Sequence, residues 1–390
     1  MRTNGKAIIE TENLPIKLWL SEEKMDKGAL EQARNLANLP FAFKHIAIMP
    51  DTHQGYGMPI GAVLATKGVI IPNAVGVDIG CGMCSLKTSL TEINTHDLKE
   101  IIQIIRKTVP VGFNRHNEPQ DESWMPKRTG RLPIVDQEFD NALYQIGTLG
   151  SGNHFIEIQQ GSDGYIWIMV HSGSRNIGFT VANHYNEVAK KLNLAAGADI
   201  STDLAYLPES SEYFDLYQNE MNYCLDFALA NRQLMMERIK HAFTKVLPEV
   251  EFSNFINKPH NFAAEEKHFG ETVIVHRKGA TRARKGEWGM IPGSQGTHSF
   301  LVTGKGEPQS FQSCAHGAGR IMSRAQARKQ LDIQTEVKAL KAQGIIHAIR
   351  SRKDLDEAPS SYKDINEVMS NQADLVNIEV ELQPLAVVKG

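Results

Sequence analysis

The sequence predicts a layered α+β protein, on three observations. Short apolar runs rich in β-branched residues recur along the chain. Helical periodicity is confined to a few stretches. The two kinds of segment do not alternate at the steady interval of βαβ units, which argues against a doubly wound sheet or a barrel. The 390 residues suffice for one large core or two smaller ones. There is no internal repeat, low-complexity tract or Pro/Ser-rich linker, so one intimately folded unit over 1–390 is the simplest organisation.

In chain order, helices are expected over 26–38 and 96–107. The clearest lies over 211–246, where Phe214, Tyr217, Met221, Cys224, Ala228, Leu234, Met235, Ile239 and Phe243 recur at helical spacing until Pro248 stops them. That stripe reads as core rather than chemistry. Strands are expected at 45–49, 69–71, 165–170, 272–275 and 299–302, while the polar, Pro-containing stretch 114–131 reads as a surface loop.

A net charge of −3 excludes a protein that coats nucleic acid with a whole basic face, so any phosphate contact must be local. No signal-peptide pattern or bilayer-length apolar stretch is present, and the four cysteines (Cys81, Cys84, Cys224, Cys314) are too few and scattered for a secreted disulfide framework. A reducing, cytoplasmic setting is the expectation.

Groups able to ligate a metal stand at the ends of apolar runs, each beside glycine: VGVDIGCGMC, GTLGSGNHFIE, IMVHSGSRNIG, KPHNF and SCAHGAGR. A strand end fixes the backbone, glycine permits close approach, and the polar side chain projects from a rigid frame. Asp78 and Cys81 suit a turn aiming a carboxylate and a thiolate at one ion or at two neighbouring ions; an ordinary turn with a buried cysteine is the plain alternative. Cys81 and Cys84 form a CxxC, but no second CxxC exists to complete a zinc ribbon. Singly, His154 and His171 are as compatible with hydrogen-bonded core positions. Taken with Asp78, Cys81 and His260, they compose a nitrogen, sulfur and carboxylate set whose softness favours zinc.

His316 differs, because Gly317, Ala318 and Gly319 follow with Arg320, and their amides suit a phosphate cradle. There the imidazole reads as a phosphorus nucleophile, or equally as a cap at a glycine-rich helix entrance. Arg277, Lys278, Arg282, Arg284 and Lys285 form either a phosphate patch or a solvated loop, and Lys389 stands where terminal lysines usually fray.

Together these segments resemble the RtcB family, ligases that join RNA 3′-phosphate or 2′,3′-cyclic phosphate ends to 5′-hydroxyl ends. The resemblance runs in order through FKHIAIMPDTHQGYG, NAVGVDIGCGM, GTLGSGNHFIEI, IMVHSGSR, HFGE, RKGATRA, IPGSQGT, SCAHGAGR, APSSYKDI and the closing KG. It implies a single RtcB-like fold over 1–390, with mixed β-sheets in layers, flanked by helices, around a central polar metal cleft. It implies two manganese ions, not zinc, on Asp78, Cys81, His154, His171 and His260, with the thiolate shared and Cys84 outside the set. His316 would take up GMP from GTP, with guanylate contacts at Asn153, Phe155, Glu157, Ser294, Ala318, Gly319, Tyr362 and Lys389. A cyclic phosphate end would first be opened by water in the same site. RNA with these ends would be the partner, in tRNA splicing or RNA repair, with Arg175, Arg277, Lys278 and Arg282 as phosphate contacts and an archease-type activator as a further partner. Asn176 stands where the family usually has glycine. The competing expectation is a metal-dependent phosphodiesterase or RNA-end-processing paralogue that does not ligate.

Overall fold

The structure, a computed structural model, describes residues 2–3 and 6–390. The mixed α+β expectation is met by two seven-stranded sheets. In the first, strands follow the order Arg2–Thr3, Lys6–Ile9, Ile16–Leu18, Ala42–His53, Ile60–Thr66, Glu271–Lys278 and Asn261–His268, with one parallel pair, Ile16–Leu18 on Ala42–His53. The second is antiparallel throughout: Phe252–Pro259, Gly82–Thr88, Ile166–Ser172, Phe155–Gly161, Val376–Lys389, Ser299–Gly304 and Trp288–Ile291. Antiparallel neighbours need only short connections, which is why no βαβ spacing shows in the sequence.

The chain passes from an edge strand of the second sheet, Phe252–Pro259, to an edge strand of the first, Asn261–His268, through the single residue His260. A further pair, Ala280–Arg282 with Ser313–Ala315, carries the chain to His316. Strand ends from both sheets therefore converge on one place.

The predicted helices appear as Lys27–Ala37, Thr95–Thr108 and Glu212–Val246, the last capped at its start by the Ser211 hydroxyl accepting from the Tyr213 amide. Its apolar stripe is buried as expected. Between those positions, however, the helix carries buried polar groups that fasten the loops of the convergence point. Arg232 donates to the carbonyls of Gly80 (2.9 Å) and Ser172 (2.8 Å) and to Asn257 (2.7 Å). Asn231 accepts from the amides of Gly147 and Thr148 and donates to the Thr148 and Gly173 carbonyls. The helix Arg175–Ala195 was not foreseen: it interleaves polar residues with small ones and starts at Arg175 in the left-handed region (φ 58°), without a side-chain cap.

Two members of the expected phosphate patch must be corrected. Arg277 is wholly buried and grips Glu266 with both terminal nitrogens (2.7 and 3.0 Å), its Nε donating to Ser313. Lys278 is also buried, its ammonium donating to the carbonyls of Tyr56 (2.5 Å) and Asn73 (3.0 Å). As neighbours on strand Glu271–Lys278 they point to opposite faces, and both faces are covered there, so neither presents a charge to an RNA backbone. Burial opposes the Glu266 carboxylate, but Arg277 and His268 hold its pKa down at about 2. Because the folded value lies below the unfolded one, the pair stabilises fully above about pH 4.5 and loses that contribution as pH falls towards about 2. Glu266→Ala, which strands the buried guanidinium, is expected to lower unfolding free energy by about 3–5 kcal/mol, as urea denaturation at neutral pH would measure.

Candidate active site

Cys81, His154 and His171 present ligand atoms all within 4.8 Å of one another. Their placement follows from register: Gly82 pairs with Ser172, Met83 with His171, and His171 with Phe155, so residues 81, 154 and 171 gather at one end of three adjacent strands. His260 joins them because its amide donates to the Cys81 carbonyl (2.8 Å). Asp78 enters on the turn before Cys81, against Gly173, where any Cβ would lie 2.1 Å from its Oδ1. Glycine is thus required there by the carboxylate.

The Cys81 sulfur lies 3.4 Å from His154 Nε2 and 3.3 Å from His171 Nε2. Asp78 Oδ2 stands 3.1 Å from His154 Nε2, and His260 Nε2 stands 3.3 Å from His171 Nε2. The sulfur therefore bridges two pairs, Asp78 with His154 and His171 with His260. His154 donates from Nδ1 to the Leu149 carbonyl (2.9 Å) and His171 from Nδ1 to the Asn153 carbonyl (3.0 Å). Each ring thereby places its proton outward and its Nε2 lone pair inward. Burial first, then neighbouring rings, pushes His171 and His260 well below the usual histidine pKa, so both stay neutral. Burial opposes the Asp78 charge, yet contacts with His154 hold it at about 2. Inward lone pairs on neutral rings beside a carboxylate, with no cationic side chain among the five, fit divalent metal and little else.

His316 follows strand Ser313–Ala315, its ring centroid 4.8 Å from that of His260. Here the structure removes the helix-cap reading and leaves the nucleophile reading open. Residue 316 follows a strand and opens no helix, and of the expected cradle the Gly317 amide (3.3 Å) is already taken, donating with the His316 amide (3.1 Å) to Oδ2 of Asp51. His316 Nδ1 donates to that same oxygen at 2.6 Å. With Nδ1 occupied, Nε2 is the ring nitrogen left for chemistry. Asp51 is fully buried in strand Ala42–His53, and Gly319 packs so closely on its backbone that a Cβ would meet its carbonyl oxygen at 2.0 Å. Sequence reading missed Asp51, although PDTHQG and SCAHGAG are the segments that interlock.

A cavity of about 780 Å³ opens over His316 and is lined by His171 and by all eight residues of the implied guanylate set: Asn153, Phe155, Glu157, Ser294, Ala318, Gly319, Tyr362 and Lys389. Lys389 ends the fourteen-residue strand Val376–Lys389 and pairs with Phe155, so it is held in a sheet instead of fraying. Burial raises the Glu157 carboxyl to about 8, against a hydrogen bond from Gln159. Glu357, buried and unforeseen, gathers Arg320 (3.2 Å), Arg324 (3.1 Å) and Lys389 (3.5 Å) and accepts from the Tyr362 hydroxyl. Three cations around one carboxylate leave that wall of the cavity positive.

Arg175 reaches the Thr148 hydroxyl (3.1 Å) and the Gly112 carbonyl (3.3 Å), beside Gly150 and next to the His154 ring. Asn176 donates to Glu138 (2.9 Å), away from the donor set. Arg282 is tied to Glu287 (2.9 Å) at a separate, smaller cavity, so the structure does not bring it to His316.

Comparison with known proteins places the chain in a family. The family model described as tRNA-splicing ligase RtcB matches residues 32–130 and 126–390. The chain belongs to the RtcB family. It is similar to RNA-splicing ligase RtcB of Escherichia coli strain K12, 41% identical over 411 residues that span 98% of this chain and 99% of the relative. The tRNA-splicing ligase RtcB of Nanoarchaeum equitans is 32% identical, covering 97% of this chain and 96% of that one. That of Thermococcus kodakarensis is 31% identical over 95% and 93%. Among the described residues, no helix is long and apolar enough to cross a membrane.

Proposed function

We propose that this RtcB-family protein is a GTP-dependent RNA ligase that joins a 3′-phosphate or 2′,3′-cyclic phosphate end to a 5′-hydroxyl end, through guanylate held covalently on His316, in the cytoplasm. The observation that carries the proposal is the His316–Asp51 pair, which engages Nδ1 and leaves Nε2 for chemistry at a nucleotide-sized cavity beside the metal-fitting cluster.

Asp78, Cys81, His154, His171 and His260 would hold two manganese ions, whose positive charge, when bound, would stabilise the oxyanions developing at phosphorus. His316 Nε2 attacks the α-phosphorus of GTP; a P–N bond forms, the bond to the β-phosphate oxygen breaks, and pyrophosphate leaves. Asp51 keeps the Nδ1 proton in place throughout and stabilises the cationic ring that the new bond creates. An oxygen of the RNA 3′-phosphate then attacks the guanylate phosphorus, and the P–N pair returns to His316. In the last step the 5′-hydroxyl attacks the activated 3′-phosphorus, losing its proton, and GMP departs. The cavity wall of Arg320, Arg324 and Lys389 holds the anionic groups, Lys389 and Glu157 address the base, and Tyr362 offers a face to stack on it.

Asp51→Asn should preserve the packing yet remove the charge that fixes the ring. The rate of guanylate uptake is expected to fall at least about 100-fold, with metal content unchanged; a fall under about threefold would remove Asp51 from the mechanism.

Manganese and α-labelled GTP should leave acid-labile label on the full chain, mapping to the His316 peptide, and discharge it on adding 3′-phosphate RNA. Joined product should follow with 5′-hydroxyl RNA. A chain that takes no label, or that opens cyclic phosphates without ever joining ends, would overturn the ligase reading in favour of a phosphodiesterase.

A further inference from the structure

Phe113 is 98% exposed, the most exposed of the large apolar side chains among the described residues. A single surface aromatic needs no explanation in itself. What calls for one is the rigidity and location of the loop that displays it.

That loop is fastened on both flanks. Val111 bridges to Gly150, the Gly112 amide donates to the Gly150 carbonyl (2.7 Å), and the Asn114 amide returns to the Val111 carbonyl (3.3 Å). Beyond the tip, the His116 amide donates to the Tyr144 carbonyl (2.9 Å), and the His116 ring bonds Arg238 at 2.8 Å. Gly112 sits at φ 68° with open space where a Cβ would point, so the turn itself throws the next side chain outward. Such a mount fixes the backbone from which the phenyl ring projects, both faces open to water, as a stacking platform requires.

The mount adjoins the chemistry. Gly150 separates it from His154: a Cβ there would lie 2.2 Å from the Arg175 guanidinium and 2.8 Å from His154 Nδ1. Arg175 donates to the Gly112 carbonyl (3.3 Å). Arg115, exposed two residues after Phe113, lies over Tyr144 (5.2 Å) and donates to Asn141 (2.9 Å). One cation thus stands two residues beyond Phe113 in the chain, and another donates to the carbonyl of the residue before it, against the metal-ligand loop. It does not line the cavity over His316, so guanylate is not its occupant.

We infer that Phe113 is a stacking platform for an unpaired nucleobase of the RNA close to the end being joined, with Arg115 and Arg175 addressing the neighbouring phosphates. The inference rests on the RNA-ligase reading. An apolar face beside cations suits a base beside its phosphates, and stacking tolerates any base, as an enzyme acting on ends of varied sequence needs. A protein partner is the other class of occupant, and cations spaced around a single lone ring favour it less.

The test is equilibrium binding, by fluorescence anisotropy, of short single-stranded RNAs ending in a 3′-phosphate or beginning with a 5′-hydroxyl. The full-length chain would be used as wild type, Phe113→Ala, Phe113→Leu and Phe113→Tyr. On one of the two strands, Ala and Leu are expected to bind about tenfold more weakly and Tyr within about twofold of wild type. An abasic nucleotide walked along that strand should, at one position, weaken wild type about tenfold while costing Phe113→Ala nothing more. Equal binding by all four proteins on both strands, or an Ala defect that no abasic position removes, would overturn the platform and leave a protein as the occupant. If wild type binds neither strand, the RNA-ligase reading itself fails, which separates the two failures. Because the ring buries nothing, none of the variants endangers the fold.

Discussion

His316→Ala is expected to take up no guanylate at all, under conditions where wild type labels fully. The ring lines the cavity, its centroid 4.8 Å from that of the His260 ring, with its Nδ1 engaged by the Asp51 carboxylate at 2.6 Å. His171 and His260 are no substitute, being neutral, buried and turned towards the cysteine sulfur and towards each other. His53, which also lines the cavity, meets Asp51 only at its backbone carbonyl (3.1 Å) and lacks the carboxylate partner that would stabilise a cationic ring. The fold should survive: Asp51 loses its ring donor but keeps the two backbone amides of residues 316 and 317, a loss of about 1–3 kcal/mol. Labelling with α-labelled GTP, alongside a thermal melt, reads both effects. A phosphodiesterase that merely shared this cluster would open cyclic phosphates equally well without His316. Persistent label on the variant would therefore refute the covalent step, and undiminished hydrolysis with no joining in wild type would favour the rival.

The fate of each sequence expectation has a local cause. Residues whose role is written in one segment were legible: the helix Glu212–Val246 announces itself by period, and DIGC, GNH and VHSG announce strand ends beside glycine. Roles made by distant pairing were not. Asp51 reads as one acid in PDTH and becomes the partner of His316 only when strand Ala42–His53 is set beside the loop after Ser313–Ala315, 265 positions away. Glu357 is equally silent until Arg320, Arg324 and Lys389 meet on it. The basic run misled for the opposite reason. Charge density in a sequence says nothing about side, and the strand turns Arg277 and Lys278 into the interior, where Glu266 and backbone carbonyls satisfy them. Lys389 was undervalued because chain ends usually fray, whereas here the last strand is the middle of a sheet.

The metal identity was never within reach of softness arguments. Neutral imidazoles, a thiol and a carboxylate bind zinc at least as well as manganese, so the donor set fixes a site and leaves the ion to supply and geometry. What the structure adds is the division of the five groups into two pairs about one sulfur, which supports a shared thiolate better than a single closed ion would.

That division makes Cys81→Ala the most damaging change to the donor set. The sulfur approaches both His154 (3.4 Å) and His171 (3.3 Å), so its loss strips a ligand from each pair at once, where His260→Ala or Asp78→Ala would strip only one. Burial and Asp78 together push the Cys81 thiol well above its ordinary pKa. A thiolate at this place therefore depends on bound cation, and cation binding should release a proton, so affinity should rise with pH. Metal affinity is expected to fall at least about 100-fold in the variant, read by manganese titration in solution, and guanylate uptake should vanish with it. Cys84→Ala is the control, since that thiol is buried against the Arg232 carbonyl (3.9 Å), outside the donor set, and should alter stability only. Equal metal affinity in wild type and Cys81→Ala, or equal losses from the two cysteine variants, would dissolve the shared-sulfur arrangement and leave two independent half-sites in its place.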